Sequence, residues 1–160
     1  MKDFINKFLN YLRVQKNVSP HTLRAYRKDL KEFTEYFQQH KPEDIEMLDI
    51  RGFISEKIMA GKSKSTVSRK LATLRSFLNY LFDEGYVKTN VAKLVSPPKA
   101  TKPLPKFLTV DDAFSLVQSP EGVGHLPVRD RAILELLYAT GLRVSEVEAL
   151  QVSDVNLKEG

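Results

Sequence analysis

Apolar residues recur at helical spacing from the first residues of the chain. Phe4, Ile5, Phe8, Leu9 and Leu12 fall on one face of a first helix. Ser19-Pro20 then opens a second, with Ser19 suited to the N-cap and Pro20 to the first helical position. Leu23, Tyr26, Leu30, Phe33 and Phe37 form its inward stripe, and Arg24, Arg27, Lys28 and Lys31 form a basic ridge on its other side. Asp49 is placed to cap a third helix, with Ile50, Phe53, Ile54 and Ile58 inward and Gly61 at its end. A fourth starts at Ser63 or Ser65 and buries Val67, Leu71, Leu74, Leu78 and Leu81, with Gly85 closing it. Asn90 to Val95 reads as a short fifth helix, and no strand-like alternation occurs before it.

The pattern then changes. Ser96 to Lys106 holds four prolines and three lysines with almost no apolar residue, the composition of a semi-extended linker. The expected organisation is a helical domain over residues 1–92, a linker over 93–107 and a further segment over 108–160. In that last segment Thr109 and Asp112 have capping-box spacing ahead of Ala113, Phe114, Leu116 and Val117. A helix follows over about Val128 to Ala139, with Ile133, Leu136 and Leu137 on it, and stops at Thr140-Gly141. Val144 to Leu150 is a short amphipathic segment, and Val152 to Leu157 has the look of a strand. Two helices and a strand edge are little core for an independent domain.

Charge sharpens this division. Residues 1–108 carry 21 Lys and Arg against 11 Asp and Glu, a balance of +10; residues 109–160 carry 4 against 9, a balance of −5. Such polarity suggests a polyanionic partner, with an inert basic surface as the bland alternative. The fourth predicted helix adds detail. Its outer face is small and polar, with Ser65, Arg69, Ala72 and Ser76 flanked by Thr66, Thr73 and Arg75. A backbone could approach such a face closely, as a helix in a major groove requires. Lys62, Lys64, Arg69 and Lys70 cluster at its start, where a helix N-terminus also favours phosphate. A crowded helix–helix contact would use small residues too, but the basic cluster favours duplex DNA. With no cysteine, disulfides and thiolate zinc sites are excluded, and His21, His40 and His125 are too scattered to suggest a metal cluster. The opening MKDFINKFLNYLRVQKN lacks the apolar core of a signal peptide, and no run approaches the roughly 20 apolar residues of a membrane span. A soluble cytoplasmic protein, with no membrane partner, is expected.

Three strings carry a family resemblance. Ser19-Pro20-His21-Thr22-Leu23-Arg24-Ala25-Tyr26-Arg27-Lys28-Asp29-Leu30, with Phe33 after it, resembles the opening of the core-binding domain of Xer-like tyrosine site-specific recombinases of the phage integrase family. Leu104 to Thr109 resembles the entry to their catalytic domain. Ala139-Thr140-Gly141-Leu142-Arg143-Val144-Ser145-Glu146-Val147-Glu148-Ala149-Leu150, then Asp154, resembles their first active-site arginine box. The strings stand in the family's order and span nearly the whole chain. The resemblance implies a mainly α protein: a SAM-like helical-bundle core-binding domain, a Pro-rich linker, and the first helices of an α+β catalytic domain. It implies duplex DNA as partner and strand cleavage and rejoining through a 3′-phosphotyrosine, without metal, nucleotide or other small-molecule cofactor. It also implies assembly of the full-length protein as a tetramer or heterotetramer on two DNA sites.

Carried over residue by residue, the resemblance makes Arg143 an active-site arginine and Glu146 its supporting acid. A planar guanidinium suits the charge that builds on a phosphoryl group. The candidate DNA contacts are Thr22, Arg24, Arg27, Lys28, Lys31, Lys62, Lys64, Ser65, Thr66, Arg69, Lys70, Thr73 and Arg75. The family's other catalytic residues would lie downstream of this box, so the 160 residues are expected to bind DNA without cutting it. His21-x-x-Arg24 has the shape of a later catalytic motif but stands before Arg143, and is read as coincidence with Arg24 a phosphate contact. The six tyrosines fall at or before Tyr138, so none is expected to be the nucleophile; Tyr26 and Tyr138 are expected in the core. Two other readings stay open: a stand-alone DNA-binding regulator or decoy using the core-binding domain alone, and self-association through apolar surface on the last helices.

Overall fold

The computed structural model describes residues 1–38, 40–99, 104 and 107–156. The chain divides into two compact units, Met1–Lys102 and Pro103–Gly160. Part of the expected linker, residues 100–103, 105 and 106, lies outside the described residues.

The first unit holds four α-helices: α1 (Lys2–Val14), α2 (Pro20–Tyr36), α3 (Met47–Met59) and α4 (Lys64–Asp83). Ser19 caps α2 by accepting from Thr22 N–H at 3.2 Å, and Ser63 caps α4 by accepting from Thr66 N–H at 3.2 Å. Each cap satisfies one of the donors that a helix start leaves without a partner. The third helix begins earlier than expected. Glu46 is its N-cap and Asp49 sits one turn in, accepting from Glu46 N–H at 2.8 Å, so Asp49 closes the capping box instead of starting the helix. Ile58 is 44% exposed on α3, because the last turn runs past the core. The fifth helix expected over Asn90 to Val95 is a 3-10 turn, Val91–Leu94, held by Arg75: its guanidinium donates to the carbonyls of Ala92 at 3.1 Å and Val95 at 2.6 Å.

Helix α4 is the centre of the bundle and packs on α1, α2, α3 and the Val91–Leu94 turn. Phe8, Phe33, Phe37, Phe53 and Phe77 are fully buried, and their rings meet across helices: Phe8 and Phe33 lie 5.5 and 6.4 Å from Phe77, and Phe33 lies edge-on to Phe53 at 5.9 Å. Edge-on and tilted contacts of this kind add to the free energy of burial.

The second unit holds α5 (Val110–Gln118), α6 (His125–Thr140) and α7 (Val144–Ala149). Thr109 and Asp112 form the capping box at the start of α5. Helix α6 starts three residues before the expected Val128, with Pro127 tolerated in its first turn. The strand expected over Val152 to Leu157 is not formed among the described residues. Val152–Asp154 is a 3-10 turn, in which Asp154 accepts from Gln151 N–H at 2.9 Å; Leu157 lies outside the described residues. A strand needs a neighbour for its ladder bonds, and this local cap competes with it. Ala113 is the one buried hydrophobic residue among those described in this unit, and Tyr138, expected in the core, is 64% exposed.

Candidate nucleic-acid interface

The basic ridge of α2 stands in solvent. Arg24, Arg27, Lys28 and Lys31 are exposed, at one-turn spacing on the side away from Leu30 and Phe33. Lys31 has only a loose partner, Glu35 at 3.9 Å, in an exposed pair of small energetic weight. Arg24 bonds His21 Nδ1 at 2.9 Å. A guanidinium only donates, so this ring nitrogen is the acceptor in the contact. Thr22 is half-buried, with its hydroxyl 3.0 Å from that of Ser19.

At the start of α4, Lys62, Lys64 and Ser65 are exposed, and the Thr66 hydroxyl lies 2.9 Å from that of Ser63. The two helices thus open with the same arrangement, a serine cap with a threonine three residues on.

Three candidates are placed elsewhere. Lys70 is 2% exposed, and Thr73 is buried beside it. Lys70 Nζ donates to Asp29 at 2.9 Å and to Glu32 at 2.8 Å, and Thr73 donates to Asp29 at 3.1 Å. These two side chains face α2 and are shut off from solvent. Arg75 is half-buried and committed to the two carbonyls of the Val91–Leu94 region, a structural tie. Arg69 alone of this group reaches the surface, bonded through Nη1 to Asp29 while its side chain remains 47% exposed.

Asp29, Glu32 and Lys57 were not among the residues singled out from the sequence. Asp29 is 2% exposed on the apolar side of α2, and Lys57 of α3 reaches Glu32 at 3.8 Å while lying 5.0 Å over the Phe53 ring. The signal was in the spacing. Asp29 falls three residues after Tyr26 and four before Phe33, and Lys70 falls between Val67 and Leu74, so an acid and a base each interrupt an apolar stripe. Partial burial opposes ionisation of Glu32. The hydrogen bond from Lys70 and the charges of Lys70, Lys57 and Lys62 outweigh it and hold its carboxyl below its ordinary value.

In the second unit Arg143 follows the C-terminal turn of α6. Gly141 takes φ +67° there, the left-handed conformation that suits glycine, and so redirects the chain into α7. Arg143 is 81% exposed as a side chain. Its backbone N–H donates to Glu146 at 2.7 Å and its guanidinium to the other oxygen of that carboxylate at 2.9 Å. One acid therefore caps the short helix and fixes the arginine.

The chain is thus a capped, aromatic-cored helical bundle followed by a small second helical unit. Residues 5–85 match the phage integrase N-terminal SAM-like domain, and residues 106–160 match the phage integrase family. The chain belongs to the phage integrase family. Among its relatives, the tyrosine recombinase XerC of Thermodesulfovibrio yellowstonii is 55% identical over 157 residues, which are 98% of this chain and 52% of that protein. The tyrosine recombinase XerD of Listeria innocua is 39% identical, over 100% of this chain and 55% of its own length. The chain therefore spans about half the length of the curated relatives it matches. A crystal structure of a lambda integrase dimer bound to a COC' core site shares the fold, with a TM-score of 0.78 at 22% identity over 98% of this chain and 43% of that one. No helix among the described residues is long and apolar enough to cross a membrane.

Proposed function

We propose that this chain is the DNA-binding N-terminal portion of a tyrosine recombinase. Residues 1–92 are the core-binding domain, 93–107 the linker and 108–160 the opening of the catalytic domain. Helix α2 contributes Arg24, Arg27, Lys28 and Lys31 as phosphate contacts. Helix α4 and the turn before it contribute Lys62, Lys64, Ser65, Thr66 and Arg69, with Thr22 at the α2 start. Lys70 and Thr73 serve by holding α2 and α4 together, and Arg75 by tying the Val91–Leu94 region to α4. The observation that carries the reading is the side-by-side fastening of α2 and α4 through buried Asp29, which leaves exposed cations on both helices of a +10 segment. Arg143 is an active-site arginine, oriented by Glu146, and acts when the rest of a catalytic domain surrounds it. In the whole recombinase the active form is a tetramer or heterotetramer on two DNA sites, working in the cytoplasm.

Salt titration tests the binding half. Six exposed cations meeting phosphates would lower duplex affinity roughly a thousandfold between about 50 and 200 mM salt. Arg27→Ala should weaken all sequences alike and reduce the salt slope by about one. Affinity that is flat with salt would defeat the reading. A nicked suicide duplex tests the other half. This chain should form no covalent adduct, whereas Arg143→Lys in a recombinase that contains it should lose cleavage and keep site binding. An adduct that survives denaturation would mean that one of the six tyrosines attacks phosphate.

A further inference from the structure

Asp29 accepts from three polar side chains of α4 at once. Its carboxylate, 1% exposed, accepts from Lys70 at 2.9 Å, from Thr73 at 3.1 Å and from Arg69. Lys70 is satisfied twice, because Glu32 also accepts from it at 2.8 Å. Arg69 differs. It is tied at one nitrogen by Asp29 while its side chain remains 47% exposed, and Ser65, Ala72 and Ser76 stand four residues before it and three and seven residues after it, on the same side of the helix.

That arrangement suits one kind of contact better than another. A phosphate needs only a cation, and the free stems of Lys62 and Lys64 supply it. A carboxylate bonded to Arg69 offsets part of its charge and makes it a poorer phosphate ligand. The same carboxylate restrains the guanidinium at one nitrogen, and a restrained fork is better prepared for a bidentate contact to a base edge. Part of the rotamer freedom a loose arginine would lose on binding has already been given up in the fold. Around Ser65, Ala72 and Ser76 the face is low enough for a base edge to come close.

We infer that Asp29 is a positioning residue that aims the Arg69 fork at a base edge, two acceptors such as guanine O6 and N7, so that Asp29 governs sequence discrimination while the exposed lysines govern general affinity. This inference rests on the DNA-binding reading above. It gives a buried acid in a basic domain a task beyond balancing Lys70.

The test uses the 160-residue chain. Duplexes it retains from a random pool are sequenced, and discrimination is the ratio of affinities for the selected duplex and a scrambled one. Arg69→Ala should reduce that ratio about tenfold, within the range of one bidentate base contact. Asp29→Asn should reduce it by a similar factor and should add nothing in the Arg69→Ala background. Its loss of thermal stability should persist in both backgrounds, which separates aiming from folding. Should Asp29→Asn fail to fold, Thr73→Val removes one donor to the carboxylate without changing charge and should lower the ratio about twofold, again only when Arg69 is present. An unchanged ratio in Asp29→Asn, or in Thr73→Val where that variant stands in for it, overturns the inference, as does a further fall in the double variant. A wild-type chain that binds with steep salt dependence but no discrimination defeats this inference alone. A wild-type chain that binds no duplex at low salt defeats the DNA-binding reading and this one with it.

Discussion

The first unit encloses five phenylalanines, whereas Ala113 is the one buried hydrophobic residue among those described in the second. Both are built of sound helices. Ser19 and Ser63 cap α2 and α4, and Thr109 with Asp112 caps α5. The difference lies in what the helices rest on. Helix α4 is surrounded by α1, α2, α3 and the Val91–Leu94 turn, whereas α5 packs on α6 and α6 on α7, leaving Phe114 63% and Val128 70% exposed. Helices are specified by local features; a core is specified by segments far apart in the chain, and the second unit has few such partners within these residues.

Core truncation gives the largest contrast. Phe77→Ala should cost the first unit about 3–5 kcal/mol, because Phe77 is fully enclosed between Phe8 and Phe33 and the cavity would not collapse well. Phe114→Ala should change stability by no more than about 0.5 kcal/mol, as for an exposed site. Denaturant unfolding of the two variants measures both. A loss above about 2 kcal/mol for Phe114→Ala would show that the second unit has a core after all.

Cap removal is smaller and separates the units by reach. Ser63→Ala should cost about 1 kcal/mol, and because α4 touches every other helix of the bundle the loss should be felt throughout it. Hydrogen exchange should quicken across α1 to α4. Thr109→Ala removes a cap from a helix that packs chiefly on α6 among the described residues, so exchange should quicken in α5 and little elsewhere. Quickening confined to α4 in the first variant would mean that the bundle does not unfold as a unit.

These contrasts follow how much could be read from the sequence. The stripes Phe8–Leu9–Leu12, Leu30–Phe33 and Val67–Leu71–Leu74 gave the inward faces of α1, α2 and α4, because period and burial are the same fact seen twice. Thr109 and Asp112 were legible because a capping box is complete within four residues. What failed was what depends on distant partners. Lys70 and Thr73 read as surface residues until Asp29, some 40 positions earlier, supplied a reason for burial. Arg75 had no visible claim on the carbonyls of Ala92 and Val95. Val152 to Leu157 has strand composition, yet the described part of it is a turn, since a strand is a property of two segments. Of the candidate interface, the α2 ridge was legible; Asp29, which organises α4, was not.

The smallest effect compares two carboxylates that are both held below their ordinary values for different reasons. Glu32 is held there, against partial burial, by the Lys70 hydrogen bond and the charges of Lys70, Lys57 and Lys62, which come from α3, α4 and the turn before α4. Asp112 is held there chiefly by hydrogen bonds from the Thr109 hydroxyl and backbone, three residues away. A carboxyl lowered by folding contributes stability that is fully present above its unfolded value and is lost as pH falls through the folded one. Both groups should therefore weaken the chain on the acid side and neither on the alkaline side. The contribution of Glu32 belongs to the whole bundle, because its partners exist only when α2, α3 and α4 meet; for a partly solvated pair it should stay below about 1 kcal/mol. The depression of Asp112 belongs to one helix turn. Carboxyl titration by NMR should give a low midpoint for both in the folded chain. After Phe77→Ala in enough denaturant to unfold the first unit, Glu32 should return to its ordinary value. Lys70→Met should raise the Glu32 midpoint in the folded chain and leave Asp112 unmoved, and Thr109→Ala should do the reverse. A Glu32 midpoint that ignores Lys70→Met would mean that the link between α2 and α4 is not electrostatic, and the contrast between a unit held by distant partners and a unit held by near ones would lose its clearest marker.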